Sequence, residues 1–357
     1  MEFINQVEPW VTDEDRNALS AYMASGGWLT EHKHTREFEQ QVADYVGARH
    51  ASCVPNGTLG LYLALKSLDL GPGSFVGVPA YTMAATVNAV LMTGATPIFI
   101  DIDPTNGCMD LGRIRGVPVQ ALIYVEINGR SGDLQRLVDH CNSRGTFLIE
   151  DACQAFGSKH QGKHMGTWGD IGVYSLSPHK IITTGQGGIL VTNRESIYKK
   201  ICGLRDFGRE EAGVDWHTSF GINCKFTDIQ AVIGKSQLAS MPKRIEKKLA
   251  IFEEYKKYLP RYFSLAPLAD GNVPWFIDVL CKDRDERDSL KLYLKGKWVG
   301  SREFYPPLID QPYLAKLCAE DTPYARKYSG RGLWLPSSLT LTTEQLSYIT
   351  NRMISFV

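Results

Sequence analysis

The chain has 357 residues, 43% of them hydrophobic and 22% charged, with a formal net charge of zero. That balance is ordinary for a globular enzyme and leaves no basic excess for binding nucleic acid. No apolar stretch approaches a membrane span, and the start Met-Glu-Phe-Ile-Asn-Gln-Val-Glu lacks the basic and apolar regions of a secretory leader, so a cytoplasmic protein of one or two domains is expected.

Residues 12–24 open with Thr-Asp-Glu-Asp, a capped and acidic helix start, and Gly26-Gly27-Trp28-Leu29-Thr30 breaks that helix. Glu37 to Val46 carries apolar residues at helical spacing. Ala51 to Pro55 predicts a strand, and Asn56-Gly57-Thr58 leads into an apolar helix over 59–68. A glycine turn feeding a helix N-terminus offers free N–H groups and the positive dipole end to an anion. A strand over 74–79 and a helix over 80–88 follow. The strand over 96–103 ends in Asp101 and Asp103, which read as solvated turn charges rather than an acid–base or metal pair. Residues 121–128 predict a strand and 134–144 a helix. Strand and helix alternating at this spacing argue for an α/β fold with a mainly parallel sheet between helices.

Three short apolar runs come next, Phe147 to Ile149, Ile171 to Tyr174 and Ile189 to Val191, each reading as a buried strand. Polar groups gather where the first two end: Asp151 and Gln154 after one, Ser175 and Lys180 after the other. An α/β sheet opens its ligand crevice at the carboxyl ends of its strands. Neighbouring strands would thus deliver a carboxylate and a lysine to one crevice. A lysine amine condenses with an aldehyde once it has lost its proton. Pyridoxal phosphate uses such a lysine, together with an acid that keeps its ring nitrogen protonated. Taken singly, Asp151 reads more readily as a strand-end turn residue and Lys180 as a solvated lysine.

Other motifs fall short. Gly157 to Lys163 departs from a phosphate-binding loop at His164, Ile229 stands where Gly234-Lys-Ser236 would need a first glycine, and Gly185-Gln-Gly-Gly188 precedes a strand. His160, His164 and Cys153 share one loop without ligand spacing, so no metal is expected. The eight cysteines form no close Cys-x-x-Cys pair and are expected as reduced thiols. Helices are predicted over 195–204 and 229–239. Met241-Pro242 then marks a break before a charged helix over 243–258. The chain is read as a large domain over 1–242 and a smaller C-terminal α/β domain over 243–357, with strands at 275–281 and near 298–304.

Asp151-Ala-Cys-Gln154, Ser175-x-x-Pro-x-Lys180 and Thr184-Gly-Gln-Gly-Gly188 resemble the signature of the DegT/DnrJ/EryC1 family. Its members are sugar aminotransferases of the fold-type I pyridoxal phosphate class. The similarity runs almost end to end and is strongest toward the perosamine synthases. It implies that Lys180 bonds the cofactor and moves protons, that Asp151 faces the ring nitrogen, and that Gln154 bonds the ring hydroxyl. It also implies that Gly57, Thr58, Ser175 and Asn223 hold the phosphate, with Asn223 reaching across a homodimer from the other subunit. Taken alone, Asn223 is a turn residue. Thr30, Arg302 and Tyr305 would face the substrate.

Two departures stand out. Met83 occupies the place where an aromatic ring usually stacks on the cofactor, with Tyr81 close enough in sequence to substitute. Ile309 follows Leu308 where a histidine is usual. The implied reaction moves an amino group from glutamate to a nucleotide-linked 4-keto-6-deoxy sugar, GDP-4-keto-6-deoxymannose first, for deoxyaminosugar and O-antigen lipopolysaccharide synthesis. One branch of the family replaces the lysine with histidine and dehydrates the sugar. Counting from Ser175 and back from Gly185 puts Lys180 rather than His179 in that slot. Met83 and Ile309 would also suit a silent sugar-nucleotide-binding or regulatory member.

Overall fold

The computed structural model describes residues 2–114, 116, 118–211, 213–317 and 321–357. Its central strands are short apolar runs with little in–out alternation, the pattern of a sheet covered on both faces. In chain order the elements are α1 (Asp13–Ala24), α2 (Lys33–Val46), β1 (His50–Val54), α3 (Gly57–Ser67), β2 (Phe75–Pro79), α4 (Ala84–Thr93), β3 (Thr96–Ile100), β4 (Ala121–Val125), α5 (Leu134–Arg144) and β5 (Phe147–Asp151). A hairpin of β6 (Lys159–His160) and β7 (Lys163–His164) precedes β8 (Ile171–Ser175), β9 (Gly188–Thr192), α6 (Glu195–Arg205), α7 (Asp228–Ala239) and α8 (Met241–Tyr258). Seven strands form one sheet in the order β1-β9-β8-β5-β4-β2-β3. Strands β3, β2, β4, β5 and β8 run parallel, and β9 lies antiparallel between β8 and β1. The expected α/β architecture is present, and β5 beside β8 sets the strand ends at Asp151 and Ser175 next to each other.

The remaining elements are β10 (Ser264–Leu265), β11 (Ile277–Leu280), α9 (Arg284–Gly296), β12 (Arg302–Glu303), α10 (Pro323–Arg331), β13 (Gly332–Leu335) and α11 (Thr343–Ile354). Their strands make a separate antiparallel sheet, β10-β11-β13-β12. Tyr255 from α8 packs with Ile277, Leu290, Val299, Leu335 and Ile349 in a second hydrophobic core. Ile4 joins this core although it begins the chain, and its N–H donates to the Trp298 carbonyl at 2.9 Å. No helix among the described residues is long and apolar enough to cross a membrane. The cysteines among the described residues are free thiols, and Cys318 lies outside those residues.

In three places long-range contacts override the local sequence pattern. Helix α2 starts at Lys33 rather than Glu37 because a distant residue caps it. The Asp228 carboxylate accepts from the N–H groups of His32, His34 and Thr35 at 2.8, 3.0 and 2.9 Å, and from the Thr35 hydroxyl at 2.7 Å. His32 at the cap position offers no side-chain bond of its own. Helix α4 starts at Ala84 rather than Ala80, since the Ala80 N–H stays with the Ile100 carbonyl at 2.8 Å and Met83 is extended. Asp101 is buried, not solvated: it accepts from the Tyr324 and Ala325 N–H groups in the first turn of α10 at 3.0 and 2.8 Å.

The Asp228 cap carries a measurable consequence. Burial pushes its carboxyl up, but the Thr35 hydroxyl and the three N–H donors outweigh burial and hold it below the usual aspartate range. Asp228→Ala is expected to lower the unfolding free energy at pH 7 by about 2–3 kcal/mol in urea denaturation, the scale of a charged hydrogen-bonded cap. The gap between the two proteins should close as pH falls through the native carboxyl's lowered value, where its ionised form is lost.

Candidate active site

Strand β5 ends at Asp151, whose carboxylate accepts the Thr86 hydroxyl at 2.7 Å and the Cys153 N–H at 3.3 Å. The turn beyond it carries Gln154, and its side-chain oxygen accepts the Asn128 N–H at 2.8 Å. From the neighbouring β8, the turn after Ser175 returns Lys180 to the same crevice, where Cys153, Gln154, Ser175, Lys180 and Trp275 all line the walls. Nζ of Lys180 stands 3.6 Å from the centre of the Trp275 ring. Trp275 is itself fixed, its Nε1 donating to the His179 carbonyl at 2.7 Å.

Lys180 is half-buried, with the Trp275 ring over its amine. Burial pulls the amine down to about 8, with the Arg302 guanidinium helping and Cys153 and Asp151 opposing. An amine in that range sheds and regains a proton near neutral pH, as a condensing or proton-moving lysine must.

Helix α3 brings its N-terminus to the same place. Asn56 caps it by accepting the Leu59 N–H at 2.9 Å, and Gly57 and Thr58 open the first turn. A Cβ on Gly57 would stand 2.7 Å from Cys153 Sγ and 3.4 Å from Ser175 Cβ. Glycine therefore lets the positive helix end press against the ends of β5 and β8, a natural seat for a phosphate.

The other residues singled out from the sequence divide. Arg302 is exposed, with Cζ 5.6 Å from the Tyr305 and Trp334 ring centres, and its charge reaches Lys180. Tyr305 meets Trp334 edge-on at 4.8 Å, and burial pushes its hydroxyl above the usual phenol range. Met83 is exposed at the head of α4, its sulfur accepting the Ala85 N–H at 3.0 Å. Tyr81 does not take the stacking place: it is fully buried between Tyr328 and Phe304. Thr30 and Asn223 are exposed and do not line this crevice. Ile309 is buried.

Sequence reasoning passed over Thr86, Trp275 and Asn128. A hydroxyl near the start of the mostly apolar α4 was the available signal for Thr86. Trp275 and Asn128 meet the site only through contacts from far along the chain.

A roomier cavity of about 1220 Å³ lies elsewhere, against α2, α6, Asp206, Arg209 and Phe220. Arg36 there pairs with Glu31 and Glu39, and Arg209 with Asp206. Lys199 and Lys200 there likewise pair with Glu195 and Asp69.

The model of the DegT/DnrJ/EryC1/StrS aminotransferase family matches residues 10–354. The chain is 32% identical over 361 residues to the GDP-perosamine synthase of Escherichia coli O157:H7, covering 100% of this chain and 99% of that one. It is also 32% identical over 354 residues to the GDP-perosamine synthase of Vibrio cholerae, covering 96% of each. Among solved structures, the aminotransferase TlmJ of Streptoalloteichus hindustanus superposes with a TM-score of 0.93 at 27% identity, over 99% of this chain and 98% of that one.

The close approach at Gly57 can be tested by filling it. Gly57→Ala is expected to destabilise the protein by about 1–3 kcal/mol through overpacking. Adding Cys153→Ala removes the sulfur in the way and should restore most of the loss in thermal or urea unfolding. Two independent, additive losses would contradict the contact.

Proposed function

Because the chain belongs to the DegT/DnrJ/EryC1/StrS family of pyridoxal phosphate-dependent sugar aminotransferases, we propose that it transfers the amino group of glutamate to a nucleotide-linked 4-keto-6-deoxy sugar. GDP-4-keto-6-deoxymannose is the proposed substrate and GDP-perosamine the product. Likeness to two GDP-perosamine synthases over nearly their full lengths supports that choice. The observation that carries the chemistry is Lys180, which lines one crevice with Gln154 and Ser175 and has its amine under Trp275, drawn down to about 8.

The residues present fit the cofactor. A helix N-terminus at Gly57 and Thr58 and the Ser175 hydroxyl suit its phosphate, and the Asp151 carboxylate, steadied by Thr86, suits a protonated ring nitrogen. Gln154 would meet the ring hydroxyl, and Met83 would meet the ring with its sulfur. When bound, pyridoxal phosphate supplies an aldehyde carbon that carries the amino group and a ring that takes up electrons. With the cofactor bound, Lys180 would carry the proton between the substrate carbon and the cofactor carbon in both halves of the reaction, a role suited to an amine drawn down to about 8. Arg302 and Tyr305, at the rim, would contact the anionic sugar nucleotide.

Thr30 would contact the sugar, and Asn223 would serve a second copy's site. Exposed Trp28 near one, and Trp216 and Phe220 near the other, supply apolar surface for a homodimer. A cytoplasmic location fits the free thiols.

Dehydration is disfavoured by one detail. Lys180 lines the crevice, whereas the His179 side chain is exposed and only its backbone carbonyl meets Trp275.

Two outcomes are expected. Purified protein with added pyridoxal phosphate should gain a visible absorbance band that Lys180→Ala lacks. In a panel of GDP-, dTDP- and UDP-linked keto sugars with glutamate, mass spectrometry should find the aminated product chiefly from the GDP sugar. Lys180→Ala should lower that turnover by about 10³-fold or more. No product from any keto sugar would end this reading. Separately, capture of pyridoxal phosphate by the cofactor-free protein requires the unprotonated amine, so its rate should rise with pH and level off above about 8. Arg302→Ala removes a neighbouring positive charge and should move that midpoint upward; an unmoved midpoint would remove Arg302 from the site's electrostatics.

A further inference from the structure

We propose that Asn128 is a positioning residue that sets two walls of the site at once and fixes Gln154 as a hydrogen-bond donor toward the cofactor; this rests on the cofactor reading above. Asn128 lies in the single 3-10 turn Ile127–Gly129 after β4, buried, with its backbone in the left-handed region at φ 52° and ψ 34°. Asparagine is among the few non-glycine residues that tolerate this conformation.

Its bonds leave in two directions. The backbone N–H donates to Gln154 Oε1 at 2.8 Å. The side chain reaches 148 residues along the chain: Oδ1 accepts the Phe276 N–H at 2.5 Å, and Nδ2 donates to the Phe276 carbonyl at 2.7 Å. Nδ2 also donates to Asp278 Oδ1 at 2.8 Å, while Arg130 holds the other oxygen of that carboxylate at 2.5 Å. The Asn128 carbonyl takes a longer bond, 3.4 Å, from the Trp275 N–H. The strand behind Trp275, whose ring covers the Lys180 amine, is therefore registered against the same turn that holds Gln154.

A glutamine side chain has one oxygen and one NH₂ group. With the oxygen engaged by Asn128, the NH₂ is the end left to the crevice that Gln154 lines. The flipped amide would set two N–H donors against each other in a buried place. Gln154 is thus committed to donating, which suits a ring oxygen bearing negative charge. The side-chain clamp on Phe276 and Asp278 keeps the left-handed turn, and with it the aim of the N–H, in place.

The test is pyridoxal phosphate affinity of the full chain, measured by quenching of tryptophan fluorescence well below each variant's Tm. Asn128→Gly keeps the N–H and accepts the backbone angle but loses the clamp. It and Gln154→Ala are each expected to weaken binding about 10-fold, and the double variant, in which the Trp275 wall is still disturbed, to lose clearly less than the roughly 100-fold product of the two. Unchanged affinity in Asn128→Gly, or losses that multiply in the double variant, would overturn the proposal. If the glycine variant does not fold, Gln154→Glu decides: a carboxylate at neutral pH only accepts, so binding should fall about 10-fold or more. Wild-type affinity in Gln154→Glu would overturn the assigned orientation. Wild-type protein that does not bind pyridoxal phosphate at all would instead remove the cofactor reading beneath both.

Discussion

The site depends on two parallel strands, β5 and β8, ending side by side at one edge of the sheet. Parallel neighbours share a carboxyl edge, so the chain emerging from each turns into the same space. Asp151 and Gln154 come from one turn, Ser175 and Lys180 from the other. The N-terminus of α3 then closes on both, and it can do so only because Gly57 has no side chain to strike Cys153. Three segments distant in sequence thereby bring Asp151, Lys180 and a helix N-terminus together.

The state of the amine is a contest between two opposed effects. The face of Trp275, 3.6 Å from Nζ, favours the ammonium form, as do Asp151 and Cys153. Burial disfavours it, and Arg302 adds its repulsion. Burial wins, and the amine ends at about 8, below an ordinary lysine. The same ring that covers one side of the amine adds to its burial, while its π face limits how far the shift goes.

Trp275 belongs to the segment entering the smaller sheet, so the crevice is walled by both halves of the chain. The buried Arg130–Asp278 pair and Asn128 tie that segment to the turn after β4. A buried ion pair adds little net stability once desolvation is counted. Its effect here lies in geometry: Asp278 has one oxygen on Arg130 and one on Asn128, which leaves β11 a single register against the site.

Much of this was legible in the residues themselves. Apolar runs bounded by turn residues marked the buried strands of the larger sheet, and the motifs at 151–154, 175–180 and 184–188 pointed to the family that the whole chain matches, because local patterning and chemistry-bearing residue types are written along the chain. Other features were not. Asp228 caps a helix that begins 195 residues earlier, Asp101 closes the start of α10, and Tyr81 enters the core instead of the site. Thr86, Trp275 and Asn128 reach the crevice only through folding. Sequence alone determined which groups could do the chemistry; tertiary structure decided which of them meet, since a hydrogen bond or a desolvated amine depends on distances of a few ångströms that local patterning does not encode.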